Sequence, residues 1–205
     1  MAGDSTTTGR RERNRIQRQR AIQIAGLRLF AERGYDQTSL ADIAEAADVA
    51  PRTVSLYYPA KLDIALSHVD ETVAGLVPTL SERPPGEPVM ATLDRWLHGV
   101  AGHADPEIEQ LTQLTFARNP DIRGLAAARV HDVLVQAIGL LTRDITGPMR
   151  PFATEVVASA GSAIVAHLLA THHHEDADAA LLIVARFLGA GITELEAMSK
   201  EQAGE

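Results

Sequence analysis

The chain has 205 residues, 45% of them hydrophobic, no cysteine and a formal net charge of −8. This is enough apolar material for one or two packed domains, and the lack of cysteine excludes disulfides and thiolate metal sites. The first twenty residues hold no signal-like apolar stretch, and the apolar runs 156–170 and 179–192 are short for a membrane span and carry His167 and Arg186, so a cytoplasmic protein is expected.

The net charge alone argues against a nucleic-acid partner, but its distribution argues for one. Residues 1–63 carry ten Lys/Arg and eight Asp/Glu, whereas residues 64–205 carry nine and nineteen. Between residues 9 and 28 stand seven arginines against the single acid Glu12. A basic head on an acidic body is the layout of a nucleic-acid reader.

In chain order, residues 1–13 read as a basic, disordered arm whose Arg10, Arg11 and Arg13 can meet phosphate or a minor groove. A first helix is predicted from residue 14 or 17 to 32, with Ile22, Ala25, Leu29 and Phe30 inward and Gly34 ending it in the left-handed conformation. Thr38 and Ser39 start a second helix. Ser39 and Asp42 form a Ser-x-x-Asp capping pattern, and Leu40, Ile43, Ala44 and Ala47 recur at three- and four-residue spacing. Ala47-Asp48-Val49 is a turn, and Pro51 suits the first position of a third helix, where its missing N–H costs nothing. There Val54 and Tyr58 fall inward, leaving Arg52, Thr53, Ser55 and Leu56 outward. Two short helices around a tight turn, the second showing an arginine and small polar groups, make a helix-turn-helix that reads a major groove.

A fourth helix is expected from residue 60 or 61 to 77, stopped by Pro78 and followed by a Pro/Gly loop at 81–88. A fifth spans 89–103. Asp105-Pro106-Glu107 supplies a cap, a first-turn proline and an acid for a sixth at 106–118; Asn119-Pro120-Asp121 repeats the device for a seventh, ending before Gly147-Pro148. Pro151 opens an eighth, to about 171, and a ninth spans 176–198. No alternation suggests a strand, so the fold class is all-α with nine helices. The eighth and ninth are apolar nearly all round at 156–169 and 181–192, so they must be buried on every side. A homodimer in which both subunits contribute these two helices to a four-helix bundle satisfies that demand.

No signature of catalysis is present: no Gly-x-Ser-x-Gly elbow, phosphate loop, His-Glu-x-x-His or dinucleotide fingerprint. Ser162, between Gly161 and Ala163, reads as a small packing residue. Successive helical residues point about 100° apart, so His172-His173-His174-Glu175-Asp176 reads as a solvated connection rather than a metal site. Neither metal nor cofactor is expected, and the chain does not read as an enzyme.

Leu29-Phe30-Ala31-Glu32-Arg33-Gly34-Tyr35, then Thr38-Ser39-Leu40-Ala41-Asp42-Ile43-Ala44, then Tyr57-Tyr58-Pro59-Ala60-Lys61 stand at the spacing of one known family. Over about residues 19–66 the chain resembles the TetR/AcrR family of bacterial transcriptional regulators. Its Pro51-Arg52-Thr53 opening resembles a subgroup in which Pro-Arg-Thr precedes Tyr-Phe-Pro-Ser-Lys. It departs from the family at Asp48, where glycine is usual, at Ala50, where a Ser/Thr cap is usual, and at Ser55, where many members carry tyrosine. The resemblance implies a three-helix DNA-binding domain at 14–60 and a ligand-binding and dimerisation domain at 61–205. It further implies a nucleoid-associated bacterial homodimer on a palindromic double-stranded operator, most often a repressor. Some 140 residues beyond the motif exceed what dimerisation requires, which favours a small-molecule effector over an effector-independent structural DNA-binder. The subgroup points to lipophilic effectors.

Roles follow by residue type. Arg52 suits a bidentate guanine contact, Thr53 and Ser55 bases or phosphates, and Leu56 a thymine methyl. Tyr57, Lys61 and the capped helix start at Thr38 and Ser39 suit phosphates. An effector cavity is expected within the fourth to eighth helices, lined by Trp96, Val100, Leu111, Leu114, Phe116, Val130, Leu134 and Ile164, with His98, Gln110, Gln113, Arg118 and His131 orienting the ligand.

Overall fold

The computed structural model describes residues 4–101, 105–143, 145, 149–170 and 177–203. Among these residues the structure is helical throughout and contains no strand: α1 Asp4–Arg33, α2 Leu40–Ala46, α3 Pro51–Tyr57, α4 Lys61–Val73, α5 Leu76–Ser81, α6 Val89–Ala101, α7 Pro106–Arg118, α8 Pro120–Leu141, α9 Met149–Ala170 and α10 Ala177–Ala203. They group into two compact units, one of residues 1–68 with 105–123, the other of residues 69–104 with 124–205.

In the first unit, α1 packs against α2 and α7, and α2 against α3. Ile22, Leu27, Phe30, Ile43, Ala44, Val54, Ile64 and Ala65 are all but sealed from solvent. Gly26 sets the spacing here. A Cβ at that position would stand 2.5 Å from Ile64 Cγ2, so glycine lets α1 lie this close to Ile64. The buried amide of Gln23 donates to Ser67 Oγ at 2.9 Å, and Ser67 in turn donates to the Ile64 carbonyl at 2.8 Å. Gln23 and Ser67 thus have partners, which removes most of their desolvation cost.

The second unit has its own core, in which Leu76, Leu80, Val89, Leu93, Trp96, Ala137, Ile138, Leu141, Val157, Ala185 and Ile192 cluster. α10 packs on α6 and α9, and α5 on α6. At Gly189 a Cβ would overlap Met90 Sδ, so this glycine permits α10 to lie close on α6. By length and composition α8 is the one described helix apolar enough to cross a membrane; its Ala137, Ile138 and Leu141 are buried in this core.

Two expectations about element limits change. Residues 4–13, read as a disordered arm, continue α1 as regular helix. Proline is absent from the stretch, and Glu12 supports it by an i,i+3 ion pair with Arg15 at 2.7 Å. The expected fourth helix divides into α4 and α5, and the break is made by glycine rather than by proline. Gly75 caps α5, while Pro78 sits in that helix's first turn, where no N–H is needed. As expected, α8 closes before Gly147-Pro148, at Leu141. The Thr142 hydroxyl donates to the Ile138 carbonyl at 2.8 Å, and the Arg143 guanidinium donates to the Arg83 carbonyl at 2.6 Å.

Candidate nucleic-acid interface

The second helix of the motif starts as its sequence requires. Ser39 Oγ accepts from the Asp42 N–H at 3.1 Å, and the Ser39 N–H donates to Asp42 Oδ2 at 2.7 Å, completing a capping box. Hydrogen bonds from the Ser39 hydroxyl and N–H hold the Asp42 carboxyl below its ordinary range. Thr38 departs from the expected role. It is buried, and its hydroxyl donates to the Gly34 carbonyl at 2.9 Å, so it shapes the loop between α1 and α2 instead of facing a phosphate. Ser39 remains exposed.

α3 is anchored by Val54 and Tyr58, both buried. On the other side Arg52, Ser55 and Leu56 are exposed, whereas Thr53 and Tyr57 are half-buried. Leu56 is 80% exposed, a large apolar side chain with nothing of its own unit to cover it. This face presents a guanidinium, a hydroxyl and an aliphatic group, which suit base edges and a thymine methyl.

Lys61, read from sequence as a phosphate contact, has substantial work inside the protein. Its ammonium donates to the Tyr35 carbonyl at 2.7 Å and the Thr38 carbonyl at 2.9 Å, and lies over the Tyr35 ring. That ring is tilted against Phe30 with centroids 5.2 Å apart. The start of α4, the end of α1 and the entry to α2 are thereby tied at one cation.

The basic surface is narrower than the arginine count suggested. Arg15 pairs with Glu12, Arg20 with Asp105 through a 2.6 Å hydrogen bond, and Arg28 with Glu107 at 3.0 Å. Arg10, Arg11, Arg13 and Arg18 are exposed and have no ion pair among the described residues. The sequence held a sign of these pairings only in the acids that open α7; the partner arginines stand some eighty residues earlier.

The link to α7 is the largest feature that sequence reasoning missed. Besides the two ion pairs, Thr115 Oγ1 donates to the Leu27 carbonyl at 3.1 Å. Asn119 accepts from the Tyr35 N–H at 2.7 Å and donates to the Phe30 and Thr115 carbonyls. Asn119 therefore finishes both α1 and α7. The proposed effector-lining residues divide accordingly. Gln110, Leu111, Gln113, Leu114, Phe116 and Arg118 lie on α7 in the first unit, where Phe116 is buried and Gln110, Leu114 and Arg118 are exposed. Trp96, Val130, Leu134, His98, His131 and Ile164 lie in the second unit; Trp96 and Val130 are buried, Leu134 and Ile164 half-buried, and the two histidines exposed. Val100 lies on α6, and its side chain is outside the described residues, as is the whole 172–176 run. Among the described residues no group of three or more metal-ligating side chains converges.

Residues 24–67, which enclose this motif, match the family model of bacterial regulatory proteins, tetR family. Over this segment the chain is similar to the TetR family. It is similar to the HTH-type transcriptional regulator TcmR of Streptomyces glaucescens, with 32% identity over 108 residues. That alignment takes in 51% of this chain and 48% of TcmR, so the chain spans about half the length of the curated relative it matches. The fold is also similar to that of MexZ, a repressor responsible for antibiotic resistance in Pseudomonas aeruginosa. The TM-score is 0.50 at 18% identity, with 87% of this chain and 94% of MexZ covered, a likeness of fold alone. Where the TetR family usually has glycine in the turn, Asp48 adopts φ 52° and is the one non-glycine residue with positive φ among those described. The left-handed backbone is thus kept with a residue that adopts it at a cost of roughly 1 kcal/mol relative to glycine. Ala50 precedes α3 with no side-chain cap, which leaves that helix to rely on Pro51 and on the burial of Val54.

Proposed function

We propose that the chain is a ligand-responsive transcriptional regulator. In this reading it is a repressor that binds a palindromic double-stranded operator as a homodimer and leaves it when a small lipophilic effector binds. The observation that carries the reading is α3: anchored by Val54 and Tyr58, it exposes Arg52, Ser55 and Leu56. Residues 14–60 serve as the reading domain and 61–205 as the effector and dimerisation domain. Arg52 takes a guanine, Ser55 and Thr53 bases or phosphates, and Leu56 a thymine methyl. Ser39, Tyr57, Lys61, Arg10, Arg11 and Arg13 supply phosphate contacts.

Dimerisation through α9 and α10 is supported by the apolar side chains these helices leave outside. Phe152, Ile183 and Phe187 are each about two-thirds exposed, and Val156, Leu182 and Met198 join them. Exposed apolar groups in such number on two helices mark an interface. The effector is lodged in the second unit near Trp96, Val130, Leu134 and Ile164. α4 carries residues of both units, so an effector that shifts it can move α3 out of register. Recognition helices of a dimer must meet grooves about 34–36 Å apart, so a small change of spacing spoils both half-sites. Linkage limits the effect to the ligand's preference for the non-binding spacing, typically about 1–3 kcal/mol.

Selection of bound duplexes from a random-sequence pool tests the proposal. Inverted repeats with half-site centres about one helical turn apart are expected. A pool that emerges without sequence preference would make the chain a structural DNA-binder and overturn the regulator reading.

A further inference from the structure

Trp96 is the lone tryptophan of the chain and lies in the apolar cluster of the second unit, 8% exposed. Its Nε1–H is buried and has no hydrogen-bond partner among the described residues. An indole donor in an apolar surround normally finds an acceptor, because leaving it unmade forfeits the hydrogen bond it had in water. Here the donor edge faces Gly75. A Cβ built on Gly75 would come 3.5 Å from indole Cδ1 and 3.8 Å from Nε1. Gly75 is exposed and stands at the break between α4 and α5. The indole edge thus lies against an exposed glycine, which has no side chain to cover it. Apolar Leu76, Leu80 and Leu93 belong to the same cluster.

We propose that the Trp96 Nε1–H, beside Gly75 at the α4–α5 break, is the polar anchor of the effector site. The ligand class that fits is a neutral, mainly apolar molecule carrying one hydrogen-bond acceptor oxygen, such as an aromatic ketone. The acceptor caps the buried donor, and the hydrocarbon body replaces water on the surrounding leucines. The proposal rests on the effector-responsive reading above and deepens it by placing the ligand at the interruption of the helix that links reader and body.

The test uses the full chain and two probes of one skeleton, indan-1-one and indane, which differ by the carbonyl. With a single tryptophan, labelling with nitrogen-15 gives one indole N–H resonance. Indanone should move that resonance downfield and bind more tightly than indane by roughly 2–12-fold, the ratio expected of one hydrogen bond. Trp96→Phe should keep indane affinity and lose the preference for the ketone. Gly75→Val, at an exposed position with ordinary φ, should weaken indanone while leaving the indole resonance in place. Equal affinity for both probes, no binding of either, or a preference that survives in Trp96→Phe overturns the anchor. The duplex selection is run on the same preparations. Selective DNA binding with no ketone preference removes the anchor alone, whereas loss of DNA selectivity removes the regulator reading and leaves the indole titration unaffected.

Discussion

The Lys61 ammonium lies 4.0 Å from the centre of the Tyr35 ring and donates to the carbonyl of that same residue at 2.7 Å. One side chain thus satisfies two loop carbonyls and caps an aromatic face while standing where α4 begins. A lysine used in this way positions the reading head, whatever phosphate contact its remaining N–H makes. Lys61→Met, which keeps the stem, is expected to lower stability by about 1.5–3 kcal/mol, the worth of hydrogen bonds to a charged donor. It should also weaken specific and random duplexes together. Chemical denaturation alongside DNA titration checks this; unchanged stability with weakened DNA binding would make Lys61 a phosphate contact only.

Arg52→Ala should cost about 1–3 kcal/mol on the selected operator and relax preference at one base pair per half-site. Leu56→Ala should act at a different position, where a thymine is preferred, because an aliphatic group 80% exposed in the free protein gains by covering a methyl. Binding to duplexes substituted one position at a time separates the two. Uniform loss across all sequences would mean that neither residue reads bases.

The dimer proposal is checked on α10. Ile183→Glu or Phe187→Glu changes a side chain that is exposed in the single chain, so the fold of one subunit should survive. The dimer should not survive, because burying an unpaired carboxylate in an apolar interface costs several kcal/mol. Sedimentation should find monomers with intact helical content. Dimers in both variants would move the interface elsewhere.

Acid should loosen the first unit through His68. Burial pushes its imidazole below the ordinary value, and the Asp105 charge opposes this only in part. The folded state therefore takes up the proton at lower pH than the unfolded state. Its contribution to stability is complete above about pH 6.5 and is lost as pH falls through the window below that value. Thermal midpoints should drop from about pH 7.5 to 5.5, and less so in His68→Leu. Equal slopes would place the acid sensitivity in other groups.

Local chemistry explains what the sequence disclosed. Gly34 at φ 94°, the Ser39–Asp42 capping box, the positive φ of Asp48 and the inward Val54 and Tyr58 all depend on neighbours a few residues away. The helices and turn of a motif assembled from such short-range rules are legible in the sequence, and the apolar character of α9 and α10 is read from runs that are apolar nearly all round. Long-range pairing is not legible. Arg20 with Asp105, Thr115 with the Leu27 carbonyl and Asn119 with Phe30 and Tyr35 join residues more than eighty positions apart. Their side chains read in isolation as a solvated arginine, a helix interior and a helix cap. For that reason α7 was assigned to an effector cavity although its polar groups belong to the reading unit. The role of Thr38 failed on the same ground, since its burial depends on the return of the loop after Gly34.

The central claim is that an acidic protein binds DNA specifically through a small basic head. It is tested most directly by titrating the full chain on its selected palindrome and on a scrambled duplex of equal length across a salt series. The account predicts dimer binding to the palindrome that weakens by roughly 10³–10⁵ between about 50 and 200 mM salt. It also predicts a shallower slope once Arg10, Arg11 and Arg13 are replaced by glutamine. Equal affinity for the two duplexes at every salt concentration would contradict it.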